Sequence, residues 1–188
     1  MTRSDHENGT QRIAEVARTL DTDLVINVQG DEPTIHPAAI KAVIDPLKKN
    51  PNLQMSTLAE KITHKNDLFN PNVVKVVRDK TGRALYFSRS TIPYKKHLGM
   101  KDPFFEPDAE PLHLRHLGIY GYRASFLQDY VSEPVCSLEQ IEGLEQLRAL
   151  YMGASIQVEL TNYPSIGVDT PRDVPKAEAY LASEGEIP

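Results

Sequence analysis

The stretch from Leu24 to Gln29 constrains the fold of this chain more than any other. It reads Leu-Val-Ile-Asn-Val-Gln, an almost continuous apolar run. A β-strand without a polar face is typical of a sheet that is covered on both sides, which is the arrangement of α/β proteins. The run therefore predicts a strand that lies between layers of helices.

Further periodic segments extend this alternation along the chain. Strands are predicted at 53–62, 113–123 and 156–160, and a hairpin at 73–77 and 84–87 around the turn 79–82. Helices are predicted at 10–20, 37–49, 137–152 and 169–183. Thr10 is expected to cap the first, Pro46 to kink or shorten the second, and Ser137 with Gln140 to form a capping box on the third. The pattern indicates a mixed α/β fold with one domain over 1–188.

Composition excludes several classes of function. The net charge of −5 provides no basic surface for nucleic acid. The single cysteine, Cys136, cannot form an internal disulfide, which fits a reducing cytosol. No apolar run reaches membrane-spanning length and no leader pattern opens the chain, so a soluble, cytoplasmic protein without a membrane partner is expected.

Two acidic motifs stand far apart in the sequence. Asp31 lies in Gly-Asp-Glu-Pro and Asp169 in Gly-Val-Asp-Thr-Pro, each after a segment that resembles a strand end. Open parallel sheets bind ligands at that edge, and Mg²⁺ takes a few carboxylate oxygens together with substrate phosphates. Taken singly, the first motif is equally compatible with a turn and the second with a helix cap; together they favour a metal site.

The strand predicted at 113–123 places His116, Gly118, Tyr120 and Tyr122 on one face. A glycine between two hydrogen-bonding rings leaves room for a hydroxylated ligand close to the backbone. The alternative is a strand face that is turned to solvent.

The helix predicted at 137–152 carries two charges in or beside its apolar stripe, Glu145 and Arg148. They are spaced for an i, i+3 ion pair, so Glu145 is either a local partner of Arg148 or a carboxylate that reaches into a pocket. Arg89, just past a strand, either binds an anionic group or lies on the surface. The sequence contains no nucleophile elbow that would indicate a hydrolase triad.

Taken in order, several strings resemble the 3-deoxy-manno-octulosonate cytidylyltransferase family through essentially the whole chain. They are residues 2–12, 27–33, 69–77, 84–93, 115–123, 138–148 and 167–171. The resemblance implies a Rossmann-like mixed sheet of the nucleotide-diphospho-sugar transferase type. It implies an enzyme that converts CTP and the eight-carbon acid sugar Kdo into CMP-Kdo and pyrophosphate for lipopolysaccharide biosynthesis.

The resemblance also implies roles for particular residues. Asp31 and Asp169 would be the catalytic acids that hold Mg²⁺. Asn8, Gly9 and Gln29 would contact the nucleotide. The Kdo pocket would be lined by Arg89, His116, Tyr120, Glu145 and Gln146. Family members form homodimers, partly through the region that corresponds to 89–112.

One departure affects the activity expected of this chain. Family sequences open with a strand and a loop, Pro-Ala-Arg followed by Gly-Lys-Pro, which grips the triphosphate, and no such segment precedes Met1 here. The chain is therefore expected to be N-terminally truncated, to lack the first βα units, and to have little activity. Two alternatives are a cytidylyltransferase for another acid sugar such as sialic acid, and a non-catalytic sugar-binding or dimerising remnant.

Overall fold

The computed structural model describes residues 1–6, 8–94, 96, 112–163, 165–168 and 170–184. Within these ranges, six strands form one mixed sheet. They are β1 (Leu24–Asn27), β2 (Met55–Lys61), β3 (Lys75–Arg78), β4 (Ala84–Ser88), β5 (Leu114–Arg123) and β6 (Ile156–Leu160). The pair β2·β6 is parallel, and the pairs β1·β5, β2·β5, β3·β5 and β3·β4 are antiparallel.

Seven helices surround this sheet in the described residues. They are α1 (Gly9–Ala17), α2 (Pro37–Lys49), α3 (Lys65–Phe69), α4 (Ala124–Ser132), α5 (Ser137–Glu142), α6 (Gln146–Tyr151) and α7 (Val174–Glu184). None of them is both long enough and apolar enough to cross a lipid bilayer.

The sheet is covered on both faces, as the apolar run in β1 predicts. On one face, side chains of α1, α4 and α6 pack against the strands around Tyr122 and Phe87. On the other face, α2 packs through Ala39 and Val43 against β5 and β2. The mixed α/β architecture is therefore confirmed, with the sheet between two helical layers.

A fork in the sheet is the feature that positions the candidate site. The C-terminal half of β5 pairs with β1, as far as Asn27 opposite Tyr120. Its N-terminal end pairs with β3 through Arg115 and Leu114. Both neighbours lie on the same side of β5, because β2 occupies the other side along its whole length. The segment 117–119 therefore lies between the end of β1 and the start of β3.

Local sequence rules misplace three helix ends. Helix α1 is capped by Asn8, whose side-chain oxygen accepts from the Gln11 amide at 2.9 Å, and not by Thr10. The capping box at Ser137 does not form, because the N-cap of α5 is Cys136 and no side chain caps it. Helix α7 begins at Val174 rather than near 169, after a turn in which the Thr170 amide donates to Asp173 at 3.1 Å.

The helix predicted at 137–152 is two helices. Gly143 adopts a left-handed conformation with φ of 62°, which ends α5, and α6 starts at Gln146. This break changes the direction of the Glu145 side chain relative to a continuous helix. Pro46, in contrast, does not shorten α2, which continues to Lys49, because a proline in the last turn removes only one helical hydrogen bond.

Candidate functional site

The polar face of β5 lies beside the fork. His116 contacts Tyr120 with ring centroids 5.3 Å apart, and Tyr120 contacts Tyr122 at 6.0 Å. The predicted sharing of one face by these residues is therefore confirmed, but the face is largely buried and does not turn to solvent. On the strand between these two residues, a Cβ atom built on Gly118 would meet no atom within 4 Å, so open space adjoins the backbone there.

Burial fixes the protonation states of these rings. Desolvation lowers the pKa of His116 from 6.5 to about 3, so the imidazole is neutral near pH 7. The His116 Nε2 lies 2.9 Å from the Thr57 hydroxyl, which also lies 2.7 Å from the Ile119 carbonyl oxygen. Because a hydroxyl has one proton to give, donation to Ile119 requires that Nε2–H of His116 donate to Thr57. Burial raises the pKa of Tyr120 well above 10, so this phenol keeps its proton.

Glu145 is held at this face by a residue from α1. Its Oε2 accepts a hydrogen bond of 2.8 Å from the hydroxyl of Thr10. Burial is the main cause of the raised pKa of both Tyr120 and Tyr122. The nearby Glu145 charge raises both further, and for Tyr120 it acts after the neighbouring phenols of Tyr122 and Tyr130. The Arg148 guanidinium binds Glu139, so the first of the two alternatives for Glu145, a local pair with Arg148, is wrong. The role of Glu145 in a pocket stays a prediction.

Arg89 is anchored beside the helix break rather than free on the surface. Its guanidinium donates to the carbonyl oxygens of Glu142 at 2.7 Å, Pro71 at 2.9 Å and Gly143 at 3.2 Å. Its main-chain amide donates to the Glu142 carboxylate at 2.9 Å, and that carboxylate also accepts from Ser88 at 2.7 Å. A guanidinium has five N–H groups, so two remain for an anionic ligand. Gln146, the neighbour of Glu145, is buried at the start of α6.

The residues proposed for the nucleotide lie together at the N-terminus of α1. Asn8 uses its side-chain oxygen to cap the helix. A Cβ atom on Gly9 would lie 3.7 Å from Oε1 of Gln29, so the Gln29 side chain contacts the first turn of α1. The structure thus brings Asn8, Gly9 and Gln29 together, with Thr10 next in the chain.

Asp31 is exposed in the turn after β1. The amide of Val168 donates to the main-chain oxygen of Asp31 at 2.7 Å, so the two acidic motifs meet at their backbones. Asp169 itself is outside the described residues. The segment 165–168 belongs to no strand, which corrects the expectation that a strand precedes Asp169.

Side-chain contacts hold segment 165–168 against the turn that carries Asp31. The Ser165 hydroxyl donates to the Glu32 carboxylate, and the amide of Ile166 donates to the Thr34 hydroxyl at 2.7 Å. A cavity of about 590 Å³ opens beside Asp31 and Val168, with one face of α7 as its apolar wall. Glu32 and Thr34 therefore hold segment 165–168 in place.

The carboxylate oxygens at this site suit a hard cation, although they are few. The described residues contain no group of three or more His, Cys, Asp or Glu side chains placed to hold a metal ion. An exposed carboxylate such as Asp31 nevertheless fits Mg²⁺, which takes one or two protein carboxylates and completes its octahedron with water and phosphate oxygens.

Sequence reasoning missed four residues that shape this site. They are Thr10, Asn27, Lys75 and Glu142. Asn27 is 2% exposed, and its Nδ2 has no hydrogen-bond partner among the described residues. The sequence contains only weak signals for these residues. Thr10 is interpreted as a helix cap, and Lys75 as a single polar residue in a strand. Their roles depend on contacts with distant segments, which periodicity does not show.

The fold and the site define a class, the nucleotidyltransferases with a mixed sheet between helices. A structure of 4-diphosphocytidyl-2C-methyl-D-erythritol synthase from Anaerococcus prevotii shares the fold, with a TM-score of 0.56 over 94% of this chain and 68% of its own, at 14% identity. The family described as Cytidylyltransferase matches residues 1–156.

More specific matches narrow the class. The 3-deoxy-manno-octulosonate cytidylyltransferase of Trichlorobacter lovleyi is 49% identical over 96% of this chain and 72% of its own length. That of Haemophilus influenzae is 46% identical over 97% of this chain and 74% of its own. A CMP:2-keto-3-deoxy-manno-octonic acid synthetase in complex with CTP matches with a TM-score of 0.86 and 39% identity, over 98% of this chain and 72% of its own. The chain belongs to the 3-deoxy-manno-octulosonate cytidylyltransferase family, which confirms the resemblance found in the sequence.

Proposed function

We propose that this protein transfers CMP from CTP to Kdo, with release of pyrophosphate, at the fork beside β5. The observation that carries the proposal is the open space at Gly118, on the strand face that also carries neutral His116 and protonated Tyr120, with the Glu145 charge close enough to act on Tyr120. These are groups that bind the hydroxyls of a sugar. Relatives that are named for this activity are 46% to 49% identical to the chain. They support neither the alternative sugar, nor the non-catalytic remnant, nor the expected loss of activity.

The nucleotide is assigned to the turn at the N-terminus of α1. Asn8 and Gly9 begin this helix, and Gln29 contacts it from the end of β1. The absence of a side chain at Gly9 permits a flat base to approach the backbone, and the Gln29 amide offers both a donor and an acceptor.

The sugar is assigned to the polar face of β5. Arg89 has two unused N–H groups for the Kdo carboxylate. His116 is neutral, so it binds a hydroxyl without attracting a second anion, and Tyr120 donates from its phenol. Glu145 accepts from a sugar hydroxyl, and Gln146 is assigned to the same pocket beside it.

The reaction joins these two sites in line. The anomeric oxygen of Kdo forms a bond to the α-phosphorus of CTP, the bond from phosphorus to the pyrophosphate oxygen breaks, and the hydroxyl proton passes to solvent. Most of the acceleration in such a transfer comes from positioning and from neutralisation of phosphate charge. Asp31 and Asp169 would hold Mg²⁺, which supplies positive charge to the triphosphate when bound.

The test is release of pyrophosphate by the complete gene product, including any residues encoded upstream of Met1, with CTP, Kdo and Mg²⁺. Asp31→Asn is expected to lower turnover by about 100-fold or more with little change in stability. It removes a carboxylate ligand of Mg²⁺, and with it several kcal/mol of stabilisation of the transition state. Asp21→Asn, at an exposed position in a loop, is the matched control and keeps wild-type turnover. Wild-type rates in Asp31→Asn would refute the metal assignment.

The choice of sugar is tested in the same assay. Kdo is expected to support turnover and sialic acid to compete poorly, because the relatives that this chain matches are named for Kdo. Turnover with sialic acid that equals turnover with Kdo would overturn the assignment of the substrate.

Further properties implied by the family complete the proposal: a homodimer in the cytoplasm that serves lipopolysaccharide biosynthesis, with the single domain 1–188 contributing the segment 89–112 to the dimer interface. Residues 95 and 97–111 of that segment are outside the described residues. Light scattering coupled to size-exclusion chromatography is expected to give twice the chain mass, and a monomer at micromolar concentration would contradict the dimer.

A further inference from the structure

Thr10 connects two parts of the molecule that are 135 residues apart in sequence. It lies in the first turn of α1, is 5% exposed, and donates a hydrogen bond of 2.8 Å to Oε2 of Glu145, which lies between α5 and α6. The N-terminus of α1 does not require a hydrogen bond between Thr10 and a carboxylate, since Asn8 already caps the helix. The contact therefore serves Glu145 rather than the helix.

The Thr10 hydroxyl has one proton, and the contact with Glu145 uses it. Thr10 is therefore the donor and the Glu145 carboxylate is the acceptor.

Glu145 depends on this contact for its orientation. Arg148, three residues further on, binds Glu139, and no ion pair within the described part of the chain holds Glu145. Among the described residues, Thr10 is the one side chain that donates a hydrogen bond to its carboxylate. A glutamate side chain loses considerable rotamer freedom when it is fixed, so an unheld Glu145 would present its acceptor to a ligand only part of the time.

We propose that Thr10 is a positioning residue that aims the Glu145 carboxylate at a hydroxyl of the sugar substrate. This inference rests on the proposed function. Thr10 directly follows the Asn8–Gly9 turn. The first turn of α1 therefore carries the residues assigned to the nucleotide and also the hydroxyl that holds Glu145 for the sugar.

The test compares Thr10→Val, Thr10→Ser and wild type by steady-state kinetics of pyrophosphate release. Thr10→Val keeps the shape but removes the hydroxyl, and the KM for the sugar is expected to rise about tenfold, the effect of one hydrogen bond to a charged group. The KM for CTP stays within about twofold, a split that general loosening of α1 would not produce. Thr10→Ser restores the hydroxyl and is expected to restore the sugar KM.

Controls separate this role from a structural one. Thr19→Val removes an exposed hydroxyl that bonds to the Val16 carbonyl at the other end of α1, and it is expected to leave both KM values unchanged. If Thr10→Val does not fold, Thr10→Cys takes its place, because its thiol is a weak donor of similar size. An active wild type with an unchanged sugar KM in the variant, or an equal rise for CTP, overturns the inference. An inactive wild type would instead overturn the proposed function.

Discussion

Arg148 and Glu139 form a bidentate ion pair in the core. The Arg148 Nε donates to Oε2 of Glu139 and its Nη2 to Oε1, both at 2.6 Å, and both side chains are almost fully buried. Arg148 also lies over the Tyr130 ring at 5.0 Å and donates to the Glu133 carbonyl at 3.0 Å. This pair joins α6 to α5 and leaves Glu145 without an ion pair to Arg148.

Glu139→Gln is expected to destabilise the fold by about 3–5 kcal/mol, because it leaves the guanidinium buried without its counter-charge. Urea denaturation followed by circular dichroism measures the difference. Glu133→Gln is the matched control: its side chain is exposed, and the variant retains the main-chain oxygen that Arg148 binds. A shift below about 1 kcal/mol in Glu139→Gln, or an equal shift in the control, would contradict a structural role for the pair.

His116 makes the stability of the protein depend on pH. Burial lowers the pKa of His116 to about 3, whereas in the unfolded chain the ring titrates near 6.5. Between these values the unfolded chain binds the extra proton, so the stabilisation present above pH 6.5 is lost as the pH falls towards 3. The loss amounts to at most about 1.4 kcal/mol per pH unit.

His116→Gln removes this titration, since glutamine takes up no proton. Its unfolding free energy, measured in urea at pH 7, 6, 5 and 4, is expected to fall less steeply with decreasing pH than that of wild type. The difference in slope corresponds to at most one bound proton. Carboxylates contribute to the slope of both proteins and cancel in the comparison. Parallel slopes over this range would show that the ring is protonated equally in both states.

The sequence carries enough information for the layers of the fold but not for the contacts that complete the site. Apolar residues from Leu24 to Ile26 predict a covered strand, and the turn at 79–82 predicts the hairpin of β3 and β4, because both signals are local. Gly143 was hidden within an otherwise helical pattern, since periodicity does not report a left-handed φ. The ion pair of Glu145 with Arg148, which the i, i+3 spacing left open, does not form; the Thr10 hydroxyl that Glu145 binds instead is distant in sequence and is brought near only by tertiary packing.

Two glycines of β5 are expected to respond differently to alanine. A Cβ atom on Gly121 would lie 2.6 Å from Ser56 Oγ, 2.7 Å from Leu47 Cδ1 and 2.8 Å from Val43 Cγ1, where α2 packs on the sheet. Ser56 is fixed by a hydrogen bond of 2.6 Å to the Val43 carbonyl, so it has little room to yield. Gly121→Ala is expected to cost about 1–3 kcal/mol through overpacking.

Gly118→Ala meets open space instead, and its unfolding free energy is expected to stay within about 0.5 kcal/mol of wild type. Thermal unfolding of both variants provides the comparison. The proposed sugar site predicts in addition that Gly118→Ala raises the KM for the sugar, because its methyl group enters the open space beside the backbone that is assigned to the sugar. A destabilised Gly118→Ala, or a Gly121→Ala that is as stable as wild type, would contradict the packing described for β5.

Lys75, in β3, holds the main chain of Arg89 through its buried ammonium group. Its ammonium group donates to three main-chain oxygens, those of Asn70 at 2.9 Å, Val73 at 2.6 Å and Arg89 at 2.6 Å. Burial, and then the nearby charge of Arg89, lower the pKa of Lys75. A charged lysine is retained in the interior here because all three of its N–H groups have acceptors.

Lys75→Met is expected to destabilise the protein by about 3 kcal/mol or more, because three carbonyl oxygens lose their common donor. The KM for the sugar is expected to rise as well, since the main chain of Arg89 is no longer held, whereas the KM for CTP does not change. Lys80→Met, at an exposed turn position, is the matched control for loss of a positive charge. If Lys75→Met loses stability but retains the wild-type sugar KM, Lys75 stabilises the fold without positioning Arg89, and the guanidinium is held by its own three carbonyl contacts alone.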